Sequence, residues 1–225
     1  MTILGLEFSA PQHSVAVLLP AGTFAEVTET THRNTMQPLA MVEEALRQAG
    51  REREQVDCLA VGLGPGSYTG IRAAISLAQG WQLAREVRLL GVSTAEAIAV
   101  GAAAEGLAGS VGVVIDAQRG EFYLAGYELS GGSALSVTPL RLASKAEVQA
   151  CADAGTTLIG PEVTKWFPVG RLVLPRAATI ARLAATRTDF LPGEKLEPIY
   201  LRETTFVKAP PPRDIPPIAV SGAAA

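Results

Sequence analysis

The sequence predicts an α/β fold that is built twice, and three observations predict it. Apolar strand-like runs alternate with helical stretches along most of the chain. A unit of apolar strand, acid, short polar turn and second strand runs over residues 3–19, with Glu7 as its acid. The same unit returns roughly a hundred residues later over 111–127, with Asp116. Between the apolar run 58–61 and the helical stretch 71–85 lies Gly64-Pro65-Gly66-Ser67-Tyr68-Thr69-Gly70, where three glycines permit φ > 0 and close approach of another chain.

The elements follow in order. Residues 2–8 and 14–19 read as strands around a turn at Ala10-Pro11-Gln12, and 24–30 alternates well enough for a third. Pro38 suits the first turn of a helix that Gly50 stops. Residues 57–61 form the next strand, and Ser67 or Thr69 caps the helix after the glycine-rich turn. A short strand at 89–92 precedes an alanine-rich helix, with Ser93 and Glu96 at capping-box spacing. The second cycle has strands at 111–116, 121–127 and 135–142, a helix from about Ser144, a strand at 157–159 and a helix near 178–186. From 209 to 225 the chain is rich in proline and small residues, which predicts a flexible tail.

Composition narrows the function classes. With 48% apolar and 18% charged residues the chain suits a globular domain, and its net charge of −3 gives no general pull towards nucleic acid or anionic lipid. The start of the chain lacks a basic region followed by an apolar core, and the most apolar helix is broken by Ser76, Gln79 and Gln82. A cytoplasmic protein with no membrane contact is the expectation. Cys58 lies in an apolar run and reads as a buried thiol, and neither it nor Cys151 has partners at metal-ligand spacing.

The glycine-rich turn opening a helix invites a phosphate, because free amides and the helix dipole attract anions. No Gly-Lys-Ser/Thr follows, however, and glycines at 64, 66 and 70 miss the dinucleotide spacing. The turn is therefore either a phosphate site or a purely structural junction. Glu7 and Asp116 end strands where actin-like folds hold a metal-bound nucleotide through water, but Phe8 puts a bulky side chain in the first turn. His13 and His32 form no helical metal pair, and no Gly-x-Ser-x-Gly elbow occurs. No complete catalytic set is legible.

Two helices carry more apolar surface than one sheet requires. On 71–85, Ile71, Ala74, Ile75 and Ala78 make one stripe, and Ala73, Leu77, Gly80, Trp81 and Ala84 a second. On 38–49, Leu39, Val42, Leu46 and Ala49 make one face, and Met41, Ala45 and Gln48 another. Either another part of the chain or a protein partner covers the second faces.

The segments Gly64–Arg72, Gly91-Val92-Ser93-Thr94, Ile115–Glu121 and Glu197-Pro198-Ile199-Tyr200-Leu201-Arg202, in this order, resemble the signatures of the TsaB (YeaZ) family. That family belongs to the tRNA threonylcarbamoyladenosine (t6A) machinery and is catalogued with the M22 glycoprotease-like, actin-like superfamily. The resemblance implies an actin-like (ribonuclease H-like, ASKHA) fold of two related lobes, each a mixed sheet with flanking helices. The lobes would be residues 1–106 and 107–208. It further implies a non-catalytic dimerisation subunit that activates TsaD, the threonylcarbamoyl transferase, in a complex that also engages TsaE, an ATPase. On the resemblance it would bind no cofactor alone, ATP or ADP and metal being expected in the partner or at the interface. The resemblance also implies a homodimer when alone and tRNA reached only through the complex.

On this resemblance the interface comprises Leu39, Met41, Val42, Ala45, Leu46, Ala73, Leu77, Gly80, Trp81 and Ala84, launched by the turn Gly64, Gly66, Ser67, Thr69 and Gly70. The chain departs from the family pattern at Glu7-Phe8-Ser9 and Asn34-Thr35-Met36, and has no His-x-x-x-His pair, so no peptidase activity is expected. The rival is an autonomous actin-like ATPase or kinase, or a metallopeptidase.

Overall fold

In the computed structural model, which describes residues 1–30 and 37–201, two five-stranded sheets share one connectivity. The first is built from β1 (Ile3–Glu7), β2 (Gln12–Leu18), β3 (Phe24–Thr30), β4 (Cys58–Gly62) and β5 (Arg88–Val92) in the order β3-β2-β1-β4-β5. The second uses β6 (Gly109–Asp116), β7 (Glu121–Ser130), β8 (Ser133–Ser144), β9 (Thr157–Gly160) and β10 (Arg171–Leu172) in the order β8-β7-β6-β9-β10. In each, the first three strands are antiparallel and the last two join the first in parallel. The repeat of strand, acid and turn is thus a repeat of topology, and the fold is the expected actin-like pair of lobes.

The helices are α1 (Pro38–Ala49), α2 (Tyr68–Ala84), α3 (Thr94–Ala104), α4 (Lys145–Asp153), α5 (Val163–Trp166) and α6 (Ala177–Ala185). Pro38 opens α1 and Gly50 closes it in a left-handed conformation, as the sequence predicts. One face of the first sheet carries α1 over β2 and β3 and α2 over β4; α6 covers the other face. On the second sheet α3 covers one face, while α4 and α5 lie on the other.

The lobes therefore exchange helices. α3 follows the first sheet in sequence but packs on the second, and α6 follows the second but packs on the first. Residues 186–201 also stay with the first lobe: Leu191 bridges to Leu89, Gly193 bonds to α2, and the Ile199 amide donates to the Leu63 carbonyl at 2.9 Å. The division expected at 106/107 falls in the α3–β6 connection, and the stretch 107–208 does not pack as one body among its described residues. Its described part after Arg176 belongs spatially to the first lobe, because the apolar side chains of α6 (Ile180, Ala181, Ala184) fill the open face of β1, β4 and β5. The proline-rich tail lies outside the described residues, as do His32 and Asn34-Thr35-Met36.

Polar groups fasten the exchanged helix. Arg176, at the α6 N-cap, offers no capping side chain. Instead the Ala177 amide donates to Ser14 Oγ at 2.8 Å and the Ala178 amide to Glu26 Oε1 at 3.0 Å, so strands β2 and β3 satisfy the helix start. Glu26 also pairs with Arg176 through its other oxygen. Gly5 makes room for this contact, since a Cβ there would strike the Ala177 carbonyl. Glu26→Ala is expected to destabilise the protein by about 1–3 kcal/mol, by stranding a helix amide and an arginine. Urea titration will read this as a lower midpoint at unchanged m; a loss below about 0.5 kcal/mol would place the anchor of α6 elsewhere.

Candidate functional site

A cleft of about 810 Å³ opens between the lobes where β1 and β6 end. Its walls are Ser9 of the β1–β2 turn, His13 at the start of β2, the turn Gly66–Gly70, Asp116 at the end of β6 with Ala117 and Gln118, and Tyr123. This is where the sequence reading allows a phosphate or a metal-bound nucleotide.

The glycine-rich turn is occupied by its own chain. The Ser67 amide donates to the Ser9 carbonyl at 2.7 Å, and the Gly70 amide to Ser67 Oγ, which caps α2. A Cβ on Gly66 would overlap the Ser9 carbonyl, and one on Gly70 the Phe8 carbonyl. Gly64, at φ +88°, accepts a hydrogen bond from the Thr94 amide at 2.8 Å. Thr69 is exposed at the rim. These glycines let the turn lie directly on the end of β1, and of the two readings the structural junction accounts for every glycine in it.

The two acids occupy equivalent places and meet different fates. Each accepts the amide two residues on at 2.7 Å, Glu7 from Ser9 and Asp116 from Gln118. Asp116 lines the cleft. Glu7 is fully buried, accepts the Thr94 hydroxyl at 3.0 Å, and lies so close to Gly62 that a Cβ there would collide with it. Burial pushes its carboxyl above the ordinary value of 4.5, against the hydrogen bonds from Ser9 and Thr94. The two acids that the rival ATPase reading would set on a nucleotide's metal do not share the cleft, which Asp116 lines and Glu7 does not: Glu7 fastens the start of α3 instead. Phe8 does not crowd the cleft either, for its ring lies in the first-lobe core. Cys58 is buried, and burial pushes its thiol up to about 11.

The helix faces divide differently from expectation. Met41, Val42, Ala45 and Leu46 all lie in the first-lobe core, which corrects their assignment to a partner surface. At 100° per residue they and Ala49 form one face about 140° wide, which the sheet covers whole. Leu39 alone of the α1 set is open, at 63% exposure. On α2 the stripe of Ile71, Ala74, Ile75 and Ala78 is buried against the sheet. The second stripe is covered only in part by the described chain: Ala73, Leu77 and Trp81 are half-buried, Leu77 and Trp81 against the core, and Gly80 and Ala84 are exposed. A Cβ on Gly80 would meet nothing.

Leu83, 90% exposed beside this stripe, escaped the sequence reading. It shares its row with Arg72 and Ser76, which read as a solvent face, and an apolar residue closing a polar row was the available signal. At the other end of α2 the two terminal family signatures meet: Tyr200 stacks on Tyr68 at 5.9 Å, with the Arg72 guanidinium over the Tyr68 ring.

Fold and cleft together define a two-lobed actin-like protein whose glycine-rich turn is committed to its own strand. Residues 14–184 match the family model described as TsaD, tRNA N6-adenosine threonylcarbamoyltransferase. The chain belongs to this family and, within it, to the TsaB (YeaZ) proteins. It is 36% identical over 128 residues to the tRNA threonylcarbamoyladenosine biosynthesis protein TsaB of Escherichia coli, covering 57% of this chain and 55% of that one. TsaB of Haemophilus influenzae is 36% identical over 126 residues, 56% and 53% of the two chains. The match thus spans about half the length of these relatives. A Pseudomonas aeruginosa crystal structure, described as an uncharacterized protein with similarity to peptidase YEAZ, superposes with a TM-score of 0.77 at 31% identity. It covers 89% of this chain and 99% of that one.

Glu7 sets a pH dependence. Its folded pKa is raised, so the folded state holds this proton more tightly than the unfolded chain does. The corresponding stability is complete below about 4.5 and is lost as pH rises through the folded value. Glu7→Gln, which cannot ionise, is expected to flatten the fall in urea stability with rising pH above 4.5. Parallel slopes for the two proteins would remove Glu7 as its cause.

Proposed function

We propose that this chain is the non-catalytic scaffold subunit of the bacterial t6A machinery, binding and activating TsaD. The observation that carries the reading is the apolar strip of α2, where Gly80, Leu83 and Ala84 are exposed and Ala73 and Leu77 half-buried, so that the described chain covers it only in part. Packed helices are rarely left with such a strip unless another surface covers it. The small residues at 73, 80 and 84 permit a partner helix to come close, with Leu77 and Leu83 as the larger anchors. The names of the TsaB relatives support the t6A pathway, and the Ser67 and Gly70 amides, spent on Ser9 and on the Ser67 hydroxyl, support a role that does not run through a nucleotide in this cleft.

In this reading TsaD supplies the transferase chemistry, any ATP or ADP and metal sit in it or at the shared interface, and TsaE joins the assembled pair. The tRNA is reached through the complex, in the cytoplasm. Among the described residues no helix is long and apolar enough to cross a membrane. Without TsaD, the same strip supports a homodimer.

Leu83→Glu tests the proposal at an exposed position, where the fold is insensitive. It is expected to weaken TsaD binding by roughly tenfold or more, equivalent to about 1.4 kcal/mol, by burying an unpaired charge at the interface. Reconstituted t6A synthesis at limiting subunit is expected to fall with it. Full t6A synthesis with this chain omitted would sink the reading.

A further inference from the structure

Among the described residues, one buried side-chain polar atom has no hydrogen-bond partner: the indole Nε1 of Trp81. The ring packs against the first-lobe core, yet the residue as a whole is only half-buried. A donor buried in this way loses its hydrogen bonds to water, and nothing in the fold offsets that loss. Trp81 stands at the seam of its helix. At 100° per residue it lies about 60° from Ala78, which is buried against the sheet, and about 60° from Ala84, which is exposed on the open strip.

A change between the two χ1 rotamers that helices favour is enough to carry the ring from the core side to the strip. Room for it exists, since Gly80 and Ala84 add little bulk and a Cβ on Gly80 would meet nothing within 4 Å. The two positions trade opposite effects. Inward, the ring keeps its apolar contacts and strands the N–H; outward, it uncovers apolar surface and frees the N–H to bond.

We propose, on the reading that α2 meets TsaD, that Trp81 turns outward when TsaD covers the strip and that its N–H then donates to a side-chain acceptor of the partner. The acceptor is a carboxylate, amide or hydroxyl, because the backbone carbonyls inside a partner helix are already bonded. Such an acceptor pairs with the outward ring alone, so it has the differential affinity needed to shift the ring's position. A purely apolar surface covers the strip equally well but leaves the N–H unpaired. Trp81 thereby discriminates between partners of similar apolarity.

The chain has two tryptophans, Trp81 and Trp166, so isotope labelling of the indole nitrogens in the full chain gives two N–H resonances, which Trp166→Phe assigns. In the free protein the Trp81 proton is expected upfield, where an unbonded indole N–H resonates. On saturation with TsaD it is expected to move downfield, as a hydrogen-bonded one does. Trp81→Phe keeps an aromatic ring without the donor and is expected to weaken TsaD binding about tenfold, the scale of one lost hydrogen bond, with circular dichroism unchanged. A free-state resonance already at a hydrogen-bonded position, which would set a buried water on the indole, overturns the proposal. So does a resonance that stays in place within a complex that forms, or a Trp81→Phe chain that binds as tightly as the parent. If no complex with TsaD forms at all, the α2 reading falls, and the role of Trp81 with it.

Discussion

The molecule is organised around one close backbone contact, the glycine-rich turn 64–70 lying on the end of β1. The Ser67 amide on the Ser9 carbonyl and the bare Cα atoms of Gly66 and Gly70 set the distance, and no side chain fits between. α2 starts from that contact, so its direction across the sheet is fixed before any of its side chains packs. The same junction holds α3: Gly64 accepts the Thr94 amide and Glu7 the Thr94 hydroxyl. A single corner therefore orients the helix whose outer face stays open and the helix that crosses to the other lobe.

That crossing changes what the lobes are. Each sheet has one face closed by a helix from the other half of the chain, so neither half can bury its own core alone. The polar fastenings are placed where the exchange is made. Ser14 and Glu26 cap α6 from the first sheet, and Arg187, just after α6, pairs with Glu96 on α3. Buried capping groups of this kind fix the orientation of a helix more than they add to its stability, since they replace hydrogen bonds to water.

Much of this was legible in the chain, and the failures have physical reasons. The repeat around Glu7 and Asp116 announced the duplicated topology because strand, acid and turn are local. Helix exchange is a matter of tertiary packing that leaves no local trace, so a division of the chain by sequence does not foresee that α3 and α6 cross between the sheets. The capping box expected at Ser93 is not made, Glu96 being taken by Arg187 from 91 residues away. α5 and β10 are too short to show a period. The α1 faces misled because adjacent apolar rows on a helix merge into a single broad face, and only the sheet beneath decides whether one row or two are covered.

The cleft shows why the acids alone were a poor guide to function. Two carboxylates at symmetric strand ends look like a pair, yet chemistry requires both to reach the same space. Thr94 and Gly62 enclose Glu7, and burial raises its pKa, so it acts as a structural acceptor, whereas Asp116 keeps its place on the cleft wall. Polar groups consumed inside the fold cannot also be spent on a ligand. The unspent surface lies on the helix and strand exteriors instead, and these present apolar side chains and open backbone rather than reactive groups.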